Sequence, residues 1–151
     1  MSKKEHTEIL VIGAGPGGYA AAFRAADLGK KVVLVDRDKE LGGVCLNRGC
    51  IPSKALLHIS RVMTEASHLS SIGVSFGQPT IDLSAIRSYK NKIISQLNQG
   101  ISQLAKTRKV KTLTGTATFL SNTAVSIDMG SENMSISFDK CVVAAGSSSS
   151  M

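Results

Sequence analysis

The 151-residue chain has no tryptophan, only two tyrosines and four phenylalanines, and just 11 acidic residues against 18 basic ones. So few aromatics leave the cations without the stacking platforms that single-stranded nucleic-acid surfaces use. The densest basic run, residues 106–111, contains no aromatic at all and falls where a long helix is predicted to end, so its charge complements that helix's dipole. Nucleic-acid binding is therefore not expected, despite the net charge of +7. Long apolar runs are also missing. No uncharged stretch reaches the roughly 18 residues of a membrane span, and the best candidate, residues 9–23, carries four glycines and Pro16. The same stretch follows Lys3 and Lys4 much as a signal peptide would, but Glu8 precedes it and no small-residue cleavage site follows. A cytoplasmic protein without a membrane span is expected. With 42% hydrophobic and 19% charged residues the chain can bury a core, which excludes a disordered tail and predicts one domain over residues 1–151.

The first apolar run, residues 8–12, is bounded by Gly13 and reads as a buried parallel strand. An alanine-rich helix is predicted over residues 17–28, closed by Gly29, and residues 31–36 then form a second buried strand. After a loop at residues 41–49, Pro52 sits in the first turn of a second helix, with Ala55, Ile59, Val62, Ala66 and Leu69 at helical spacing. A long helix over about residues 83–106 is expected to pair with it. From Val110 onward the period changes to two: Val125, Ile127 and Met129, then Met134, Ile136 and Phe138, predict a small antiparallel meander. Residues 141–145 return to the buried-strand pattern with Cys141 as a small core residue, and the serines and Met151 after Gly146 carry no signal. The fold class predicted is α/β: a Rossmann-like parallel sheet, a helical pair and a β-meander.

Gly13, Gly15 and Gly18 form G-x-G-x-x-G directly after a strand and at the start of a helix. The first glycine permits the turn, the second lets backbone approach a pyrophosphate, and the third lets helix and strand pack closely. The helix N-terminus adds N–H donors and positive potential. Asp36, 23 positions after Gly13 and at the end of the next strand, can accept hydrogen bonds from an adenosine ribose. The motif alone fits either NAD or FAD. Asp36 disfavours a 2′-phosphate, and Arg37 beside it leaves that choice open.

Cys45 and Cys50 bracket the second glycine-rich loop. Closing so short a loop yields only about 2 kcal/mol, a poor structural staple, whereas cytosolic disulfides are more often redox-active. Cys50, just ahead of a helix, sits where a thiolate is stabilised. Residues five apart on a regular helix point about 140° apart, so a bridge needs a distorted backbone, which Gly49 permits. Two unrelated reduced cysteines or a metal site are the alternatives, the latter against the usual zinc spacing.

The run Gly42-Gly43-Val44-Cys45-Leu46-Asn47-Arg48-Gly49-Cys50-Ile51-Pro52-Ser53-Lys54 resembles the redox signature of the pyridine nucleotide-disulfide oxidoreductases. Glutathione and mercuric reductases share that frame. Residues 51–57, 21–29 and 138–146 are most similar to the bacterial branch that oxidises dihydrolipoamide, and the resemblance extends over about residues 9–147. It implies that FAD lies with its pyrophosphate at Gly13, Gly15 and Gly18, its ribose at Asp36, and its flavin near Lys54. Further FAD contacts are implied at Arg37, Gly42, Gly43, Val44 and Cys45, through backbone at Gly115 and Ala117, and at Ala145 and Gly146. Cys50 would be the charge-transfer thiol and Cys45 the interchange thiol of a redox disulfide, with electrons passing through FAD to NAD⁺. Implied partners are lipoyl domains of 2-oxo-acid dehydrogenase complexes or of the glycine cleavage system, and a second copy in a homodimer.

The sequence departs from the family in two positions of the pattern: Asp36 stands where glutamate is commoner and Ala145 where many relatives have threonine. Family chains are about three times longer, with NAD, central and interface domains, and no second glycine motif occurs here. His6, His58 and His68 do not match the family's base and are read as surface or packing residues. The chain is thus expected to be an N-terminal FAD-domain portion, inactive alone. A stand-alone redox-sensing dinucleotide module is the reading from another class.

Overall fold

The computed structural model describes residues 3–147; residues 148–151, with the end of the serine run, lie outside the described residues. The first two apolar runs become β1 (Lys3–Ile12) and β2 (Val32–Asp36), paired in parallel with Ile9 opposite Val32 and Ile12 opposite Val35. Alternate residues serve two cores, as strands covered on both faces require. Leu10, Val33 and Val35 join one, while Val11, Val32 and Leu34 join the other against Ala22. Ala22 belongs to α1 (Pro16–Asp27), which starts one residue earlier than predicted because Pro16, lacking an N–H, takes a position where that donor is unused anyway. Gly29 follows it in the left-handed region, φ +79°, and its N–H closes on the Ala26 carbonyl at 2.9 Å, the expected helix stop.

The predicted loop at residues 41–49 contains a short helix, α2 (Gly43–Asn47), and after a break at Arg48 and Gly49 the chain enters α3 (Cys50–His68). The long helix α4 (Leu83–Thr107) is capped by Asp82, whose carboxylate accepts from the N–H groups of Ser84 and Ala85. It packs along α3 as expected. The α3 stripe is less buried than its spacing implies: Ala55 is inside, but Val62 remains 50% exposed, because α3 is covered by α4 and α2 and not by the sheet. Of the basic run, Arg108 pairs with Asp27 at 2.9 Å and lies over the Phe23 ring, and Lys111 pairs with Glu5.

The strands after α4 correct the predicted meander. β3 (Lys111–Thr114) pairs in parallel with β2 and lies outside the meander, which comprises β4 (Thr116–Ser121), β5 (Ala124–Asp128) and β6 (Asn133–Val143). The expected separate strand at residues 141–145 is the end of β6. That one long strand pairs with β5 over its first half and with β1 along its length, which draws Lys3–Thr7 into β1 ahead of the predicted start. Beyond β5's reach, Val143 is 63% exposed and Cys141 is half-buried against the core. All six strands form one sheet in the order β3-β2-β1-β6-β5-β4, four parallel strands with an antiparallel end. Only Gly115 separates the two edge strands β3 and β4, so the sheet curls on itself and encloses Val125, Ile127, Met134, Ile136 and Phe138 with Leu10 and Val35. A Cβ at Gly115 would lie 2.6 Å from the Asp128 carbonyl oxygen, so this corner closes only around glycine.

Candidate functional site

The parallel strands β1, β2 and β6 all end at one edge, the edge where open α/β sheets place ligands. Gly13 turns the chain there with φ +99°, its N–H bonded to Val35 O at 2.7 Å. A Cβ on Gly13 would sit 2.1 Å from the Ala144 carbonyl oxygen, and one on Gly18 would sit 1.7 Å from the Gly13 carbonyl oxygen. Gly15 differs: a Cβ there would meet nothing within 4 Å. Gly13 and Gly18 are thus needed by the fold itself, whereas Gly15 borders open space at the start of α1, whose N-terminus no side chain caps.

Asp36 ties the loop to β2. Its Oδ2 accepts the Ala14 N–H at 2.5 Å, its Oδ1 accepts the Asp38 N–H at 2.8 Å, and its carbonyl accepts the Gly115 N–H at 2.8 Å. Each carboxylate oxygen retains acceptor capacity toward a further donor. Asp36→Ala is expected to lower the unfolding free energy by about 2–3 kcal/mol through loss of two charge-assisted bonds, measured by urea titration. Asp36→Asn, with one carbonyl oxygen left, should lose less.

The cysteine loop docks on the glycine loop. The Gly42 N–H bonds Ala14 O at 2.8 Å, and a Cβ on Gly43 would fall 2.7 Å from the Gly15 Cα. This close contact aims α2 so that Val44 and Cys45 border the same cleft as the glycines. At Gly49 the backbone breaks (φ −127°, ψ −103°) and α3 begins with Cys50, the distortion expected between residues five apart. Both cysteines are free thiols, Cys45 half-buried and Cys50 exposed. The neighbouring Cys50 thiol, followed by partial desolvation, holds the Cys45 thiol above the usual range, while the Cys50 backbone N–H and the ammonium of Lys54 oppose it.

The cleft measures about 400 Å³ and is lined by Gly13, Gly15, Asp36, Arg37, Gly43, Val44, Cys45, Ala145 and Gly146 among the sequence-predicted residues. It shares Gly13, Asp36, Arg37 and Ala145 with a cavity of about 190 Å³ that reaches Gly115 and Ala117. Gly18 and Gly42 lie behind the wall, and Cys50 and Lys54 stand on α3 beyond it. Sequence reasoning missed Arg48, which pairs with Asp38 across the cleft wall at 2.6 Å. Arg48 stands between the two cysteines, and that placement was the available signal.

The family model for pyridine nucleotide-disulphide oxidoreductases matches residues 7–151. A dihydrolipoyl dehydrogenase of Haemophilus influenzae is 48% identical over 97% of this chain and 31% of its own length, and one of Buchnera aphidicola is 46% identical over the same shares. A Haloarcula marismortui dihydrolipoyl dehydrogenase is 45% identical over 93% of this chain. The chain therefore spans about a third of the length of these curated relatives. Among solved structures, a Cu(II) complex of the HOCl-induced flavoprotein disulfide reductase RclA from Escherichia coli superposes with a TM-score of 0.77 at 24% identity, over 97% of this chain and 29% of that one, a likeness of fold. With a glycine loop, its acid and Cys45 meeting in one cleft, and a family match over nearly all its residues, the chain belongs to the pyridine nucleotide-disulphide oxidoreductase family.

Proposed function

We propose that the chain is the FAD- and dithiol-bearing portion of a dihydrolipoamide dehydrogenase that passes electrons from protein-bound dihydrolipoamide to NAD⁺. The observation that carries this reading is the docking of Gly42 and Gly43 on Ala14 and Gly15, which brings Cys45 to the wall of the glycine-loop cleft, with Cys50 beyond it at the start of α3. The relatives' name supplies the substrate. The cleft fits FAD. Its central stretch offers the uncapped α1 N-terminus and the open space at Gly15 to a pyrophosphate, Asp36 offers acceptors to a ribose, and the cavity at Gly115 and Ala117 fits the adenine end. Bound FAD supplies a two-electron acceptor between the dithiol and NAD⁺.

The protein's own part is thiol–disulfide exchange. A substrate thiolate bonds to the Cys45 sulfur of the oxidised pair and displaces the Cys50 thiolate. The second substrate thiolate then displaces Cys45, leaving the substrate as its cyclic disulfide and the protein as the dithiol. Two electrons have moved to the protein, and the two substrate protons go to solvent or to the protein thiols. Partners that fit are lipoyl domains of 2-oxo-acid dehydrogenase complexes or of the glycine cleavage system, and a second copy in a homodimer. With one glycine motif and one dithiol, this portion is expected to bind FAD without turning over NAD⁺ by itself. The test is the visible spectrum of the protein with FAD, before and after anaerobic addition of dihydrolipoamide. Bound yellow flavin and a new long-wavelength band, lost in Cys50→Ser, are the expected result. A folded protein that leaves FAD free would overturn the cofactor assignment. Reduction by glutathione but not by dihydrolipoamide would move the substrate to another branch of the family.

A further inference from the structure

Outside this cleft, a cavity of about 690 Å³ lies between α2 and α4, and a buried amide forms part of its wall. Ile94, Asn98, Ile101 and Ala105 share one face of α4 at helical spacing, and Asn98 is 6% exposed in that otherwise apolar line. Its Nδ2 donates to Asn47 Oδ1 at 2.7 Å, and Asn47 Nδ2 donates in turn to the Leu41 carbonyl at 3.2 Å. The Leu41 carbonyl can only accept, which fixes the Asn47 amide and then the Asn98 amide. Asn98 Oδ1 is left without a partner among the described residues. A buried unpartnered oxygen costs stability, so a leucine would suit this position better on packing grounds alone.

Asn47 is the last residue of α2, two positions after Cys45 and three before Cys50. It ties the end of its helix back to Leu41, ahead of the helix start, and Asn98 pins that tie to α4. The same α4 packs along α3, whose first residue is Cys50. One long helix therefore supports both cysteines: α3 by packing along it, and α2 at the Asn98–Asn47 amide bond. We propose that Asn98 is a positioning residue for the Cys45–Cys50 pair, which by holding Asn47 fixes the bearing of α2 and so sets the dithiol–disulfide equilibrium. The proposal rests on the dithiol reading of these two cysteines.

The test uses glutathione buffers of varied ratio. One oxidised glutathione takes up two electrons: a cysteine thiolate displaces one glutathione, the other cysteine displaces the second, and the Cys45–Cys50 bond closes as two reduced glutathiones leave with the two thiol protons. Differential alkylation and mass spectrometry report Cys45 and Cys50 separately from Cys141. Asn98→Leu and Asn98→Ala should each lower the closing equilibrium about tenfold, equivalent to ~30 mV. Asn98→Leu should do so with its melting temperature maintained or raised, since it removes the orphaned oxygen and keeps the volume. On an Asn47→Ala background, Asn98→Ala should add nothing. Closure within twofold of wild type in the Asn98→Leu and Asn98→Ala variants would overturn the proposal, as would a full shift persisting without Asn47. Wild-type protein in which Cys45 and Cys50 never close would instead overturn the dithiol reading beneath it.

Discussion

Gly18→Ala is expected to cost about 4 kcal/mol or more, enough to remove most of an ordinary domain's stability, while Gly15→Ala costs about 1 kcal/mol or less. Both are glycines of one motif three residues apart, yet their surroundings differ. A methyl at Gly18 would stand 1.7 Å from the Gly13 carbonyl oxygen and 3.5 Å from the Ala144 Cβ, so α1 would have to lift off the strand ends. Backbone cannot yield as a flexible side chain can. Gly13→Ala should be nearly as damaging, because its left-handed φ of +99° and the 2.1 Å approach to Ala144 O penalise a side chain twice. At Gly15 the backbone is extended and no protein atom is in the way, so only the helix N-cap preference opposes alanine. The proposed pyrophosphate would meet that methyl, so FAD affinity should fall at least tenfold in Gly15→Ala with the fold intact. Urea unfolding and FAD titration on the same samples separate the two effects. Unchanged FAD binding in Gly15→Ala would mean that phosphate does not pass over this loop.

The parts of the site that were legible in the sequence are those built from neighbours in sequence or from one parallel unit. Gly13, Gly15, Gly18 and Asp36 belong to a single strand–helix–strand unit, whose geometry is nearly invariant, so their spacing alone places acid beside loop. The break between Cys45 and Cys50 was legible too, because a helix carrying both without distortion would point them apart. The sheet's closure was not. β3 and β4 are contiguous apart from Gly115 and share a period of two, and nothing in that pattern tells a strand that continues to the next hairpin from one that crosses to the opposite edge. The decisive contact, Gly115 against Asp128, is between residues 13 apart and depends on a corner that forms only once the core beneath it exists.

The helical pair shows the other limit. Periodicity identified α3 and α4 correctly, but it marks which residues can be buried and not what covers them, so Val62 and Leu69 keep substantial exposure. Within α4 the apolar count also hides a second face. Ile86, Ile93 and Leu97 suggest one stripe, while the deepest residues, Asn98 and Ala105, lie on another, and an asparagine there reads as surface until its partner Asn47 is seen 51 positions away.

Replacing either cysteine with alanine should abolish reversible disulfide formation and, in the parent enzyme proposed above, reduce thiol–disulfide turnover by about a thousandfold or more, since the two sulfurs act as a unit. The single variants should nevertheless differ in thiol chemistry. Cys45's proton is held chiefly by the neighbouring Cys50 thiol, with partial burial acting in the same direction and the Cys50 backbone N–H and Lys54 against it. In the reduced wild type, the Cys45 thiolate therefore emerges only above the ordinary thiol range, and its alkylation by iodoacetamide should rise with pH later than a free thiol's. Cys50→Ala removes the largest cause, so Cys45 should alkylate several-fold faster at neutral pH. Lys54→Gln removes the opposing charge, so alkylation should slow and its inflection move to still higher pH. The linkage has a definite sign: a folded value above the unfolded one makes the protonated Cys45 favour the folded state. That contribution is complete below the unfolded value and is lost as pH rises through the folded one. Reduced protein should thus lose some stability at alkaline pH that Cys50→Ala protein keeps. Cys45 reacting equally fast with and without Cys50 would mean that the two thiols do not meet in solution, and the exchange chemistry assigned to them would lose its geometric basis.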